Sequence, residues 1–248
     1  MDAVWAGRAG TDWRREVSLP KPYYEDTEHG IVIYHADCRD ILPHLPRVDL
    51  LLTDPPYGIA FQSSRKVATT TASWVGTQIQ NDESTAARDE ALCLVDEWCC
   101  FGTHKAPFPE AYRFLAVWDK GPASGMGDLS IPFKPSFELV FCSGEKWSGS
   151  RDEGVIKGFT IVTRASMGRV HPNEKPVGLI KFLLNKHQSQ TVLDPFMGSG
   201  TTLVACKQLG RHCIGIEIEE SYCEIAAKRL SQGMLFGQEE LAQIGGGK

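Results

Sequence analysis

The stretch TVLDPFMGSGTTLVACKQLGRHCIGIEIEESYCEIAAKRL (191–230) sets the fold class. TVLD (191–194) is a short apolar strand ending on a carboxylate. Thr201 to Leu209 has helical spacing and is closed by Gly210, a residue that suits a left-handed helix end. HCIGIEI (212–218) reads as a second strand and 219–230 as a second helix. Strand, helix, strand and helix in such short succession make βαβ units, hence an α/β fold on a parallel sheet. Just upstream, Val177 to Lys186 is expected to be a helix with Pro176 in its first turn.

Outward from this stretch the pattern is less regular. IVIYHAD (31–37) alternates and is β-branched. VDLLLTD (48–54) is a continuous apolar run suited to a buried parallel strand, and the prolines that follow must end it. Residues 58–80 read as a long Ser-, Thr- and Gly-rich loop. Residues 83–98 carry helical spacing at Ala87, Leu92, Val95 and Trp98. AYRFLAVW (111–118) and FELVFCS (137–143) are strands, separated by a Gly/Pro-dense excursion. Residues 144–171 are irregular. A lead-in (1–29), one catalytic domain (30–230) and a frayed tail (231–248) describe the organisation, and 248 residues fit one such domain.

Composition narrows the classes. There is no run of 18 apolar residues and no apolar leader, so a cytoplasmic protein is expected. The eight cysteines form no C-x-x-C pair, so no metal is expected. The net charge of −5 means that any basic surface for nucleic acid must be concentrated locally.

Two motifs carry chemistry. In DPFMGSGTT (194–202) a strand hands over to a helix, where unpaired amides face a ligand and Gly198 and Gly200 allow close approach. Glu217 lies 23 residues after Asp194, about where an acid grips ribose hydroxyls. A P-loop would need Lys after its glycines, but Thr201 follows Gly200. A dinucleotide fingerprint would need a third glycine where Leu203 stands. Asp194 and Phe196 also suit a pyrophosphate badly. S-adenosylmethionine has no phosphate and carries cationic groups, so it fits best.

The second motif is Asp54-Pro55-Pro56-Tyr57 at the carboxyl end of the VDLLLT strand, where α/β sheets do their chemistry. An exocyclic amino group conjugated to a base ring is a poor nucleophile. Asp54 and the Pro55 carbonyl can accept its two N–H groups and aim its lone pair at a methyl donor. Pro55 and Pro56 stiffen the turn, and Tyr57 offers a stacking face. A base reaches such a pocket only when flipped out of the duplex. Methylation at cytosine carbon 5 would need a Pro-Cys dipeptide, and none occurs.

TDPPYG (53–58), HPNEKP (171–176), DPFMGSGTT (194–202) and GIEIEE (215–220) together resemble the DNA amino-methyltransferases, the N6-adenine and N4-cytosine group. The DPPY motif precedes the cofactor loop, a circularly permuted order similar to the β-class and to small phage and prophage methylases, many of which serve restriction-modification systems. The resemblance implies a Rossmann-like seven-stranded sheet with a terminal antiparallel pair. It also implies S-adenosylmethionine as cofactor, S-adenosylhomocysteine as product and double-stranded DNA as substrate.

Along the cofactor it places Asp194, Pro195, Phe196, Gly198, Gly200 and Thr201, with Glu217 on the ribose. Asp37 would hold the cofactor's adenine amino group and Cys38 its ring edge, although Ala36 stands where the family has Gly. Lys175 would contact the methionine end. DPPY resembles the adenine-specific members, and a carboxylate could also serve N4-cytosine. RNA and protein methylases with a Pro-Pro-Tyr turn usually begin it with Asn and place the cofactor motif first.

For DNA, Arg65 and Lys66 after the catalytic turn suit phosphate contact. Residues 144–171 are expected to be the target-recognition segment, with Arg151, Arg164 and Arg169 as contacts. It is short for that role, so specificity would be limited or shared across a homodimer.

Overall fold

The computed structural model describes residues 19–59, 82–121, 130, 132–159 and 174–232. They form a nine-stranded sheet in the order β1-β2-β9-β8-β3-β4-β6-β5-β7. Its strands are β1 (Tyr24–Asp26), β2 (Ile31–His35), β3 (Leu50–Thr53), β4 (Trp98–Gly102), β5 (Phe114–Asp119), β6 (Phe137–Cys142), β7 (Val155–Ile156), β8 (Thr191–Asp194) and β9 (His212–Glu217). From β2 to β4 every neighbour is parallel. β6 runs antiparallel to both β4 and β5, which is the expected antiparallel region.

The expected count of seven strands is corrected to nine. Two short edge strands make the difference: β1 pairs antiparallel with β2, and β7 pairs with β5. β1 lies inside the segment read as a lead-in, and β7 inside the segment read as irregular. Three and two residues are too few to show a period.

The helices are α1 (Cys38–Ile41), α2 (Ala86–Leu92), α3 (Val177–Asn185), α4 (Thr201–Gln208) and α5 (Glu220–Ser231). The helix expected over 83–98 stops at Leu92, and Trp98 instead opens β4. β4 is buried along its whole length, so its residues carry no alternation that would mark a strand.

Leu50, Leu51 and Leu52 of β3 are fully buried, their side chains alternating between two apolar layers. One layer packs α3, α4 and α5 against the sheet, and the other packs α1 and α2. Each buried leucine contributes about 1.5–3 kcal/mol, so β3 holds its register firmly. Its last residue, Thr53, therefore delivers Asp54 to a fixed point on the sheet edge. No helix among the described residues is long and apolar enough to cross a membrane.

Candidate active site

Because the central strands are parallel, their carboxyl ends open on one edge. Across that edge lie, in order, Asp37 beyond β2, Glu217 at the end of β9, Asp194 at the end of β8, and Asp54 after β3. The motifs around Asp54 and Asp194, far apart in sequence, are therefore neighbours. A direct bond joins them: Thr53 Oγ1 donates to Asp194 Oδ1 at 2.7 Å. Thr53 was not among the residues singled out from the sequence. Its signal is a hydroxyl closing an otherwise apolar run, and it is only 1 % exposed.

The cofactor loop is held by backbone. Met197 N donates to Ile216 O at 3.1 Å, which ties the loop to β9. Glu217 accepts from Gly198 N at 2.9 Å and from Glu219 N at 2.8 Å. The Ile218 amide adds a third backbone contact, and the carboxylate keeps acceptor capacity for a ligand hydroxyl. Gly200 caps α4 with φ of 82°, and a β-carbon there would lie 2.7 Å from the Ala226 β-carbon, so α5 can close against the loop only over glycine. Gly215 of β9 serves similarly, since a side chain would strike Met197 Sδ at 2.5 Å. Phe196 is half-buried, and its amide donates to Asp194. Burial raises the Asp194 carboxyl to about 6, against the hydrogen bonds of Thr202 and Thr53. Burial likewise raises Glu217.

Asp37 caps α1, and its carboxylate is engaged by the Arg39 amide and guanidinium, which hold its pKa below the usual carboxylate range. The Cys38 side chain packs in the apolar layer with α1 and α2, where burial pushes its thiol up to about 12. It is a neutral thiol buried in the core. Thr201 Oγ1 donates to Glu174 Oε1 at 3.4 Å. Pro195 links Asp194 to this loop.

The catalytic turn is held by side chains. Tyr57 Oη donates to Asp54 Oδ1 at 2.7 Å, and Lys175 Nζ donates to Asp54 Oδ2. Lys175 also contacts Glu138 Oε2 at 3.1 Å, and Lys120 contacts Glu138 Oε1 at 3.3 Å. Pro55 is buried and Pro56 half-buried. Lys175, expected at the methionine end of the cofactor, thus has its ammonium engaged by two carboxylates, those of Asp54 and Glu138. Glu138 and Lys120 were not foreseen. Burial raises Asp54 above its ordinary value, with Lys175 opposing and Glu138 assisting. For Lys175, burial is outweighed by Asp54 and Glu138, which raise it.

Arg151 falls elsewhere. Its neighbours Ser150 and Asp152 bind Lys186 at the end of α3, the sheet edge opposite Asp54. Arg65, Lys66, Arg164 and Arg169 lie outside the described residues.

A row of carboxylates beside a glycine loop without lysine suits a ligand bearing hydroxyls and positive charge. An acceptor-lined turn next to it suits an amino group. These features define an α/β enzyme that brings a cationic, ribose-bearing cofactor to an amine. The family model described as DNA methylase (N6_N4_Mtase) matches residues 62–228, and the chain belongs to that family.

The chain is 45 % identical to the type II methyltransferase M2.LlaDCHI of Lactococcus lactis subsp. cremoris, covering 89 % of this chain and 96 % of that one. Its fold is similar to PvuII DNA methyltransferase (cytosine-N4-specific), with TM-score 0.59 and 16 % identity over 87 % of this chain and 91 % of that one. It is also similar to the M1.HpyAVI-SAM complex, with TM-score 0.53 and 24 % identity over 80 % and 99 %.

Proposed function

We propose that this DNA methylase transfers the methyl group of S-adenosylmethionine to the exocyclic N6 of adenine in a flipped-out base. The observation that carries this reading is the juxtaposition of Asp54 with the Asp194 loop through Thr53. S-adenosylmethionine supplies an electrophilic methyl on a sulfonium. The chain's own residues make the amine reactive.

Asp54 has one oxygen bonded to Tyr57 and the other to Lys175, and each retains a lone pair for an incoming N–H. The Pro55 carbonyl is the second acceptor. Together they draw the amino nitrogen toward sp³ and stabilise the positive charge that develops on it. Tyr57 is anchored through its hydroxyl, which sets the ring as a stacking surface. Asp194 and Glu217 favour the cofactor's positive charge and hydroxyls. Arg65, Lys66, Arg164 and Arg169 are retained as proposed phosphate contacts.

The test is nucleoside mass spectrometry of DNA incubated with the protein and methyl-labelled cofactor. N6-methyladenine is expected. N4-methylcytosine would overturn the base assignment, and label found only in RNA or protein would overturn the substrate.

A further inference from the structure

We propose that Lys175, anchored by Glu138, is a positioning residue that holds the Asp54 carboxylate ionised and turned toward the target amino group. The inference deepens the functional reading above and rests on it. Lys175 is 7 % exposed, and its Nζ lies 5.0 Å from the Phe101 ring centroid. A buried ammonium is a poor stabiliser of a fold, since apolar residues of similar volume pack as well without the desolvation penalty. Its contacts instead converge on one atom group. Lys175 binds Asp54 Oδ2, while Tyr57 binds Oδ1, so the carboxylate cannot rotate. Glu138 completes the frame through Lys175 at 3.1 Å, Tyr57 Oη at 3.4 Å and Lys120 at 3.3 Å. Asp54, Glu138, Lys175 and Lys120 together form a neutral chain of alternating sign.

Local sequence explains how Lys175 is delivered. Pro176 caps α3 in an extended conformation. Glu174, on the other side, binds Arg229 at 2.6 Å, and Arg229 in turn donates to Ser199 O at 2.8 Å. Neighbouring residues 174 and 175 thus reach the cofactor loop and the catalytic turn respectively. Among the described residues, the charged and titratable groups facing Asp54 are Lys175, Glu138 from β6, Tyr57 from its own turn, Asp194 from β8 and Cys100 from β4. Lys175 is the one cation among them. Without it, Lys120 still pairs Glu138, but Asp54 has no cation to offset the Glu138 charge beside it and takes up a proton more readily. A protonated Asp54 keeps less acceptor capacity and no charge to offset the developing cation.

The experiment measures the pH–rate profile, the cofactor Kd and thermal melting for Lys175→Met, Glu138→Gln and the double variant. Lys175→Met is expected to lower kcat about a hundredfold. It should also move the acid limb up by about 1–3 pH units, with the cofactor Kd nearly unchanged. Glu138→Gln removes a like charge beside Asp54, so its acid limb should move down while kcat falls several-fold. In the double variant the limb should return toward the wild-type position. A merely structural role would give no such opposed shifts. A raised cofactor Kd with the acid limb unmoved would overturn the proposal and make Lys175 a cofactor contact.

If Lys175→Met does not fold, the downward shift of Glu138→Gln still decides, since an unshifted limb defeats the idea. Failure of the wild-type protein to methylate DNA would sink the functional reading instead. The Asp54 carboxyl can then be titrated by carbon NMR in cofactor-free protein. A higher pKa in Lys175→Met than in wild type supports the proposal, and an unchanged one overturns it.

Discussion

The two edges of the sheet both carry buried carboxylates, and they are satisfied differently. Where the central strands begin, Asp49 accepts from the Gln190 and Thr191 amides and the Thr191 hydroxyl, and Glu97 from the Glu145 and Lys146 amides and His187. Where they end, Asp54 is bound by two side chains, Tyr57 and Lys175, one of them charged. Amide donors fix a carboxylate as part of the scaffold, with little left to offer a ligand. One side-chain donor on each oxygen holds the Asp54 carboxylate in orientation and leaves each oxygen a lone pair for a ligand. Glu217 lies between these cases: amides hold it, yet it stands on the functional edge.

That contrast can be broken most forcefully at Asp54. Asp54→Ala should lower methyl transfer by about 10²–10³-fold or more, with melting and cofactor affinity little changed. Substantial retained activity would erase the distinction between the edges. Glu217→Ala should weaken cofactor binding by about 1.5–3 kcal/mol, roughly ten- to a hundredfold in a titration, because charged hydrogen bonds are of that size.

At the other edge, Asp49→Ala should leave kcat intact and destabilise the fold by about 2–4 kcal/mol, since two amides lose their acceptor. Denaturant melts with an activity assay would check this, and lost activity in a fully folded variant would contradict it. The smallest effect is in pH. Burial holds His187 below the ordinary 6.5 despite Glu97, so its stabilising contribution is complete above pH 6.5. It declines as pH falls below that value, because the unfolded chain takes up a proton that the folded one resists. Glu97, held below 4.5, adds a loss of the same sign at lower pH. Asp194, raised to about 6, contributes with the opposite sign over the same range, so the His187 share is read by difference. From pH 7 to 5 the wild type should lose stability relative to His187→Gln in denaturant melts. Equal slopes would remove His187 from the account.

The parts of this arrangement that were legible in sequence are those encoded locally. Asp54 to Tyr57, the Asp194–Thr201 loop and Glu217 each sit at the end of an apolar strand, so strand direction alone gathers them on one edge. Gly210 and Pro176 marked helix ends within a residue, Gly210 following α4 with φ of 65°. The charge chain was not legible. Lys120, Glu138 and Lys175 come from three separate segments, and ion pairs between distant segments leave no spacing to read. Glu138 had one local trace, an acid inside the apolar run FELVFC. β4 was missed because helical spacing at Leu92, Val95 and Trp98 continued past the point where the chain turned.

The central claim is that the β3 and β8 tips share one cavity in which a methyl donor faces an amine acceptor. A crystal structure with S-adenosylhomocysteine tests it most directly. The account predicts the sulfur over the Pro195–Met197 turn, facing the recess bounded by Asp54, Pro55 and Tyr57, with the ribose on Glu217. A product whose sulfur points away from Asp54, or that binds without touching Glu217, would contradict it.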